Sequence, residues 1–385
     1  MRIRTTLILG LLPLILTSIL CSCGTRVREE PGFVNVDRLL IVPHPSAGIV
    51  GLRRSVRAYV DTTESEGTAP SMVVDLPEEL GIRGFCISPD GQQLVYSVGI
   101  PLDAEDMEPP PGFVLLRSCN LMGVAIGQGG NTRFTMGSYK DVDPFFDVDN
   151  EHVLFASNRR RHKRCDLLRI HRGSKRGIQD IYVDVRGQFV LTPSMAKDNT
   201  IALCLYPGEG SQEPAQVWTV GGPRGYPTQI CSGTQPQISP DGRRLVYIGS
   251  DSNVWVSNTD GTSASQLTTE AADITRAFQG SLSSSEQKAW HADLIHPFSS
   301  PSWTRDGRYL VFSSMQGRDS TGRPNQDIWS MTADGTNRRQ LTTNGSLDTY
   351  PVASPDGQHI YFVSNRGGKW AIWRMQAPDS LQAIQ

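Results

Sequence analysis

The sequence lacks the short motifs that mark most catalytic or metal-binding domains. It contains no Cys-x-x-Cys or His-Glu-x-x-His pair, no Gly-x-Ser-x-Gly elbow and no glycine-rich phosphate loop. An excess of charge is also missing, because 37 Lys and Arg balance 39 Asp and Glu. The seven histidines are scattered along the chain. We therefore assign no catalytic residues and expect no nucleic-acid partner.

Long hydrophobic runs are scarce as well, and the clearest one lies at the amino terminus. Leu7 to Leu20 follows Arg2 and Arg4, which is typical of a secretory signal and shorter than a membrane span requires. The run ends in Leu20-Cys21-Ser22-Cys23, which resembles a bacterial lipobox and implies cleavage before Cys23 and lipidation of that residue. We predict a lipoprotein signal peptide at residues 1–22 and a lipid-anchored linker at 23–35. An ordinary signal peptide or an uncleaved anchor is the alternative.

The remaining cysteines do not form a disulfide framework. Five lie beyond the linker, an odd number, and those sharing a predicted blade fall two strands apart, at about 9.5 Å. We interpret them as small buried apolar side chains: Cys86, Cys119, Cys165, Cys204 and Cys231.

What the chain does contain is a repeat. Six Asp-Gly or Asp-Asn turns are each followed by a short β-branched or aromatic run, at spacings of 59, 49, 43, 65 and 50 residues. The turns begin at Asp90, Asp149, Asp198, Asp241, Asp306 and Asp356. Strand signals at a period of about 40–50 residues predict an all-β fold, a β-propeller of four-stranded antiparallel blades.

The fourth repeat shows the pattern most completely. It has an inner strand at Gln237-Ile238-Ser239, a tight Pro240-Asp241-Gly242 turn, and further strand signals at residues 244–248, 253–256 and 265–268. Ser-Asn-Arg segments occur in the second and sixth copies, and Ile-Trp segments in the fifth and sixth. Together these motifs resemble the TolB-type propeller repeat, a relative of the WD repeat, over roughly residues 84–375. We expect no counterpart of the amino-terminal domain of TolB.

The number of blades depends on residues 36–78, which precede the six clear repeats. This segment is interpretable as one more, degraded repeat, and we favour that interpretation, with seven blades in a propeller spanning residues 36–385. Alternatively, the segment only donates an outer strand to the last blade and closes a six-bladed ring. Either arrangement removes exposed sheet edges.

The longest insertion, residues 269–296, supplies the candidate binding residues. It has weak helical spacing at 274–278 and 286–294, and it precedes an inner strand, so we expect it over one mouth of the ring. Trp290 is the candidate partner contact, together with His291 and His296. A metal held by the two histidines is the less favoured interpretation. Four tryptophans recur on third strands and are interpreted as packing: Trp218, Trp255, Trp329 and Trp373.

An acidic stretch provides the one hint of a cofactor. Asp141-x-Asp143 and Asp147-x-Asp149 have the look of calcium ligands. Turn and capping chemistry is the favoured interpretation, because Asp149 is the turn residue of its repeat. We therefore predict no cofactor, with a structural calcium ion in the central channel as the open alternative.

The resemblance implies a function in the cell envelope. TolB-type propellers bind other proteins there, so we expect a non-catalytic protein-binding scaffold, lipid-anchored and facing the periplasm or the cell surface. The expected partners are envelope proteins, and the membrane is reached through the anchor. The alternatives are a carbohydrate-active propeller, a lyase or hydrolase acting on polysaccharide, and a small-molecule or glycan sensor.

Overall fold

The computed structural model describes residues 69–77, 80–101, 116–160, 165–175, 177–181, 189–206, 213–221, 226–281, 296–320, 322 and 324–381. The predicted signal peptide, Cys23, the linker and residues 36–68 of the predicted degraded repeat lie outside these ranges. Strands dominate the described residues, which contain one α-helix, α1 (Ala271–Ser281). No described helix has the length and apolarity that a membrane crossing would require.

Successive groups of strands form the blades, each running from the centre of the molecule outward. Blade 1 consists of β2 (Gly81–Ile87), β3 (Gln93–Pro101), β4 (Leu116–Ala125) and β5 (Gly129–Arg133). Blade 2 consists of β6 (Asp141–Phe146), β7 (His152–Ser157), β8 (Asp166–His171) and β9 (Gln179–Asp180). Blade 3 consists of β10 (Phe189–Met195), β11 (Thr200–Tyr206), β12 (Gln216–Gly221) and the first part of β13 (Thr228–Ile238).

The remaining strands complete three further blades. Blade 4 consists of the second part of β13 with β14 (Arg244–Gly249), β15 (Val254–Asn258) and β16 (Ser265–Gln266). Blade 5 consists of β17 (Phe298–Trp303), β18 (Tyr309–Arg318), β19 (Pro324–Thr332) and β20 (Arg339–Gln340). Blade 6 consists of β21 (Asp348–Ala353), β22 (His359–Ser364), β23 (Ala371–Gln376) and β1 (Ser71–Val74). All ladders within the blades are antiparallel.

The long strand β13 belongs to two blades. It pairs with β12 as the outer strand of blade 3 and with β14 as the inner strand of blade 4. Gly233 lies at the crossing, where a Cβ atom would come within 2.5 Å of the carbonyl oxygen of Ile248. Only glycine fits this close backbone approach, so the crossing is encoded at one position.

The ring is closed between the first and last blades. Their inner strands, β2 and β21, are in contact, and one hydrophobic cluster joins Phe85 and Leu94 of blade 1 to Tyr361 and Ile372 of blade 6. The amino-terminal segment supplies the outer strand of blade 6, with Met72 opposite Trp373.

This contact between the first and last blades shows how the described residues are arranged into blades. They form six blades, which is the arrangement that the sequence left as the alternative to seven. Of the predicted degraded repeat, the structure describes only the end, and that end acts as the closing strand. Among the described residues, blades 1 and 6 are in direct contact through their inner strands and one shared cluster.

Local chemistry explains why the strands begin where they do. In blade 4 the Ser239 hydroxyl donates to Oδ1 of Asp241 at 2.5 Å, and the same oxygen accepts the backbone N–H of Arg243 at 3.1 Å. Gly242 takes the positive φ of 75° that the turn requires. The following Leu245 and Val246 are fully buried. Both faces of the second strand therefore pack against neighbouring blades.

The Ser-Asn-Arg segments join the second strand to the start of the inner strand. In blade 2 the Ser157 hydroxyl donates to the buried Asp141 at 2.6 Å, and Arg159 pairs with the same carboxylate. The Asn158 amide oxygen accepts the backbone N–H of Lys140 at 2.9 Å. Blade 6 repeats the arrangement with Asp348, Asn365 and Arg366. This motif is thus a structural clamp.

Two other expectations about packing are confirmed. The described cysteines are free thiols, four of them buried and Cys231 partly buried. Burial raises the pKa of Cys165 to about 12 and that of Cys231 to about 11. The four recurring tryptophans lie partly buried at the edges of the clusters between blades: Trp218, Trp255, Trp329 and Trp373.

Candidate functional site in the central channel

The six inner strands share one backbone feature that faces the channel. Each is interrupted by a bulge, and at the bulge one residue takes a left-handed conformation, six positions before the turn Asp of its repeat. We call these residues the floor layer: Gly84 (φ 77°), Asp143 (52°), Thr192 (48°), Gln235 (53°), Ser300 (50°) and Tyr350 (52°).

Five of these six residues are not glycine, so the floor layer is strained. A left-handed conformation costs a non-glycine residue roughly 1–3 kcal/mol and is least expected for a β-branched side chain such as Thr192. In blades 2 to 6 a proline follows and fixes the next φ: Pro144, Pro193, Pro236, Pro301 and Pro351. Such strain persists only where the surrounding ring enforces it, and it is concentrated at functional sites more often than elsewhere.

A cavity of about 650 Å³ occupies the channel on one side of the floor layer. Along each inner strand the lining runs from the bulge towards the Asp turn, so the cavity opens on the face that carries these turns, which we call the turn face. The walls are formed largely by prolines and apolar side chains, among them Phe85, Phe145 and Trp303. Charged residues line the rim at the turns, among them Lys197, Asp241, Arg305 and Asp306. Predominantly apolar walls with a small number of polar groups are typical of small-molecule sites.

The charged groups at the floor neutralise one another. Nε of Arg83 lies 3.4 Å from Oδ1 of Asp143, and both side chains are about nine-tenths buried. Burial alone would lower the pKa of Arg83, but the neighbouring carboxylate of Asp143 raises it. The second oxygen of Asp143 accepts the backbone N–H of Thr192 at 3.1 Å. The carboxylate is therefore already engaged, which disfavours a calcium ion at this position.

The floor residues of adjacent blades are linked through the backbone. Oε1 of Gln235 accepts the N–H of Ser300 at 2.5 Å, as Asp143 accepts that of Thr192. A Cβ atom at Gly84 would meet Asp143 and Tyr350 at 3.9 Å. The side chains from both neighbouring blades thus extend over Gly84, and burial raises the pKa of Tyr350. These hydrogen bonds link blade 2 to blade 3 and blade 4 to blade 5 at the base of the cavity.

The predicted acidic ligands do not converge. Asp141 is clamped to Arg159 and Asp143 to Arg83, whereas Asp147 and Asp149 lie with His152 at the turn of blade 2.

In that turn cluster, metal-ligating atoms lie within 4.8 Å of one another, so the residue types fit a cation. Nδ1 of His152 and Oδ2 of Asp149 are 2.7 Å apart. Oδ1 of Asp149 accepts the backbone N–H groups of Glu151 and His152. Burial alone would raise the pKa of Asp149, but these hydrogen bonds lower it. Both oxygens serve the turn, in line with the favoured sequence interpretation.

The insertion begins with the expected helix. Helix α1 starts beside Asn253, whose Oδ1 accepts the N–H of Ala271 at 3.2 Å, and Asn253 lies in the β14–β15 connection, on the face opposite the turn face. Ala271, Ile274 and Phe278 are buried, with the spacing of one helix face. Glu270, just before the helix, pairs with Arg338 of blade 5 at 2.9 Å. The helix is therefore fixed against blades 4 and 5.

Of the three predicted contact residues, only His296 is described; Trp290 and His291 lie outside the described residues. Nε2 of His296 is buried without a hydrogen-bond partner among the described groups. Burial lowers the pKa of His296 to about 3, so the ring is neutral at physiological pH. The second predicted helical segment, 286–294, also lies outside the described residues.

Apart from Asp143, which was a candidate calcium ligand, the floor layer was not among the predicted site residues. One sequence signal marks it: in five repeats a residue followed by proline stands six positions before the turn Asp. Proline in a strand indicates a bulge or an edge. The inner strands that carry these prolines are all bulged, and all but β13 also lie at the edge of their sheet. The left-handed conformation itself carries no signal in side chains such as Thr192 or Tyr350.

Comparisons with known proteins agree with this architecture. Residues 281–383 match the family described as the TolB beta propeller domain. An uncharacterized protein of Agrobacterium fabrum is 35% identical over 78 residues, which is 20% of this chain and 25% of that protein. The match thus spans about a quarter of the length of this curated relative.

Solved structures of low identity share the fold. TolB from Acinetobacter baumannii superposes with a TM-score of 0.50 at 11% identity, covering 74% of this chain and 64% of TolB. Oligogalacturonate lyase from Vibrio parahaemolyticus superposes with a TM-score of 0.50 at 13% identity, covering 83% of this chain and all of the lyase.

Proposed function

Because this chain is a β-propeller of TolB-type repeats, we propose that it is a lipid-anchored, non-catalytic scaffold that binds proteins in the bacterial cell envelope. The similarity to TolB supports an envelope role, and the lipobox-like segment ending at Cys23 supports the anchor. The proposed binding surface is the insertion at residues 269–296 with the loops around it, including Trp290, His291 and His296.

The observation that carries this proposal is the way helix α1 is mounted. Its apolar side is buried in the cluster between blades 4 and 5. The side chains of Asp273 and Arg276, on the same helix, are each 76% exposed and paired with each other at 2.8 Å. An exposed surface on an immobilised helix is pre-ordered, so a partner binds without the entropic cost of ordering it.

Photo-crosslinking in living cells tests the binding surface. A benzophenone amino acid placed at Arg276 is expected to capture one dominant envelope protein, and capture should be lost when Trp290→Ala is added. The matched control carries the same photo-crosslinker at Lys197, an exposed residue at the cavity rim on the turn face. Equal capture of the same protein from both positions, or full capture with Trp290→Ala, would reject this surface.

Membrane fractionation tests the anchor separately. The unaltered chain is expected in the membrane fraction, and Cys23→Ser is expected to lose the acyl chains and accumulate in the soluble periplasmic fraction or as uncleaved precursor. Metabolic labelling with an alkyne fatty acid should mark the unaltered chain only. Labelling of Cys23→Ser would show that the acyl chains are attached elsewhere.

A further inference from the structure

We propose that the channel cavity is a binding site for a small neutral amphiphile, which places its apolar body between the walls and a hydroxyl or amide end group on the floor layer. This site is independent of the proposed scaffold surface, because the cavity opens on the turn face and helix α1 starts on the opposite face.

Size and wall chemistry define the body of the ligand. A volume of about 650 Å³ lies within the range of roughly 300–1,000 Å³ that drug-sized ligands occupy. The wall prolines, five of which directly follow floor residues, have no N–H to satisfy and little freedom to lose. Trp303 contributes an indole fixed by its own hydrogen bond, Nε1 to the carbonyl of Gln237 at 3.1 Å. Such walls gain free energy by covering apolar surface and lose little entropy.

The charge balance at the floor defines the end group. Arg83 and Asp143 already neutralise each other in a buried setting. A charged ligand end group beside them would therefore be an additional buried charge without a partner of opposite sign. An uncharged end group leaves the ion pair between Arg83 and Asp143 balanced.

Two hydroxyl groups of the floor layer have no hydrogen-bond partner among the described residues. The side-chain oxygens of Thr192 and Ser300 are buried with no hydrogen-bond partner among the described groups, although both residues line the cavity. A buried hydroxyl without a hydrogen-bond partner costs free energy. A change of the χ1 rotamer is enough to turn either hydroxyl towards a ligand in the cavity. A ligand end group that accepts and donates hydrogen bonds would supply the missing hydrogen-bond partners of both hydroxyls. The two residues stand in blades 3 and 5, on either side of Gln235 in blade 4, and both line the same cavity.

Fluorescence titration with the neutral naphthalene ketone prodan tests the proposal on the full chain. We expect saturable 1:1 binding with blue-shifted emission, and at least fivefold weaker binding of the anionic naphthalene sulfonate ANS. The pair of variants Thr192→Ala and Ser300→Ala should weaken prodan binding about two- to tenfold each, which is the value of one hydrogen bond. Thr192→Ser keeps the hydroxyl and should bind within twofold of the unaltered chain.

Blocking variants separate the cavity from the rest of the surface. Ala353→Trp, in the wall, should abolish prodan binding, and Met136→Trp, at a residue 65% exposed and outside the cavity lining, should leave it unchanged. If Ala353→Trp fails to fold, Val148→Trp at the cavity rim serves instead, because that residue is 36% exposed. Prodan binding that is non-saturable, or that survives both cavity tryptophans, would overturn the proposal. Partner capture through Arg276 would remain unaffected in every variant.

Discussion

The clamp between Asp141 and Arg159 makes the sharpest prediction about stability. The carboxylate of Asp141 is fully buried and accepts Nε of Arg159 at 2.8 Å, Nη2 at 2.5 Å and the Ser157 hydroxyl at 2.6 Å. Arg159→Met keeps much of the apolar stem but leaves the carboxylate with one donor. Removing one partner of a buried pair typically costs about 3–5 kcal/mol, because the remaining charge is uncompensated.

The neighbouring residue is a matched control. Arg160 also forms an ion pair, with Asp180 at 3.0 Å, but these side chains are 50% and 57% exposed. Exposed pairs contribute about 0–1 kcal/mol, so Arg160→Met should cost no more than that. The same substitution at adjacent positions therefore differs mainly in the burial of the partner carboxylate.

Urea unfolding at pH 7.5, followed by tryptophan fluorescence and circular dichroism, measures both variants. Adding Asp141→Asn to Arg159→Met should recover at least about 2 kcal/mol of the free energy of unfolding, because no uncompensated charge then remains. The argument fails if Arg159→Met costs less than about 1 kcal/mol, or if the double variant is less stable than Arg159→Met alone.

Two further perturbations follow from individual side chains. The pKa of His296 is about 3 in the folded chain and about 6.5 when unfolded, so the folded form binds fewer protons and stability falls as the pH drops through this window. Between pH 7 and pH 5 the loss from this group is up to about 2 kcal/mol, and His296→Gln should remove it; equal losses in both chains would contradict the assignment. Gly317→Ala would place Cβ in steric conflict with Oδ2 of Asp327 and should lower the free energy of unfolding by about 1–3 kcal/mol. Gly280→Ala meets no neighbour within 4 Å and should raise it by up to about 1 kcal/mol, so a chemical denaturation series with the opposite order would refute the packing argument.

The fold was predictable from the sequence where local chemistry determines it. Each Asp turn fixes its own geometry through hydrogen bonds spanning two residues, as between Ser239 and Asp241, and the apolar triplets that follow admit only a buried strand. These signals recur six times, so the propeller and its strand order were recognisable even where single repeats are degraded.

Blade number was not determined by local chemistry. Closure depends on whether residues near Val74 pair with β23, some 300 positions later in the chain. A four-residue strand with ordinary β propensity carries no information about so distant a partner. The sequence therefore supported both arrangements, and it is the packing of blade 1 against blade 6 that gives the described residues a six-bladed arrangement.

The floor layer shows a different limit. Its residues vary from Asp to Tyr, and what they share is a backbone conformation imposed by the bulge. Propensity favours glycine or asparagine at a positive φ, yet only blade 1 has glycine there. Tertiary packing has overridden the local preference in the other five blades, which is why pattern reading missed the layer.

Blade 1 is also the exception to the pattern of the inner strands, in which proline follows the floor residue. This difference affects the polarity of the channel floor. It has Gly84-Phe85 where the other inner strands have a residue followed by proline, and Arg83 precedes them. Because Gly84 has no side chain, Asp143 and Tyr350 lie close to it, and Asp143 pairs with the guanidinium of Arg83. The Arg83–Asp143 pair makes one side of the floor charged but neutralised, whereas the side chains of Thr192 and Ser300 on blades 3 and 5 are uncharged. This difference gives the cavity a polarity that would orient a bound ligand.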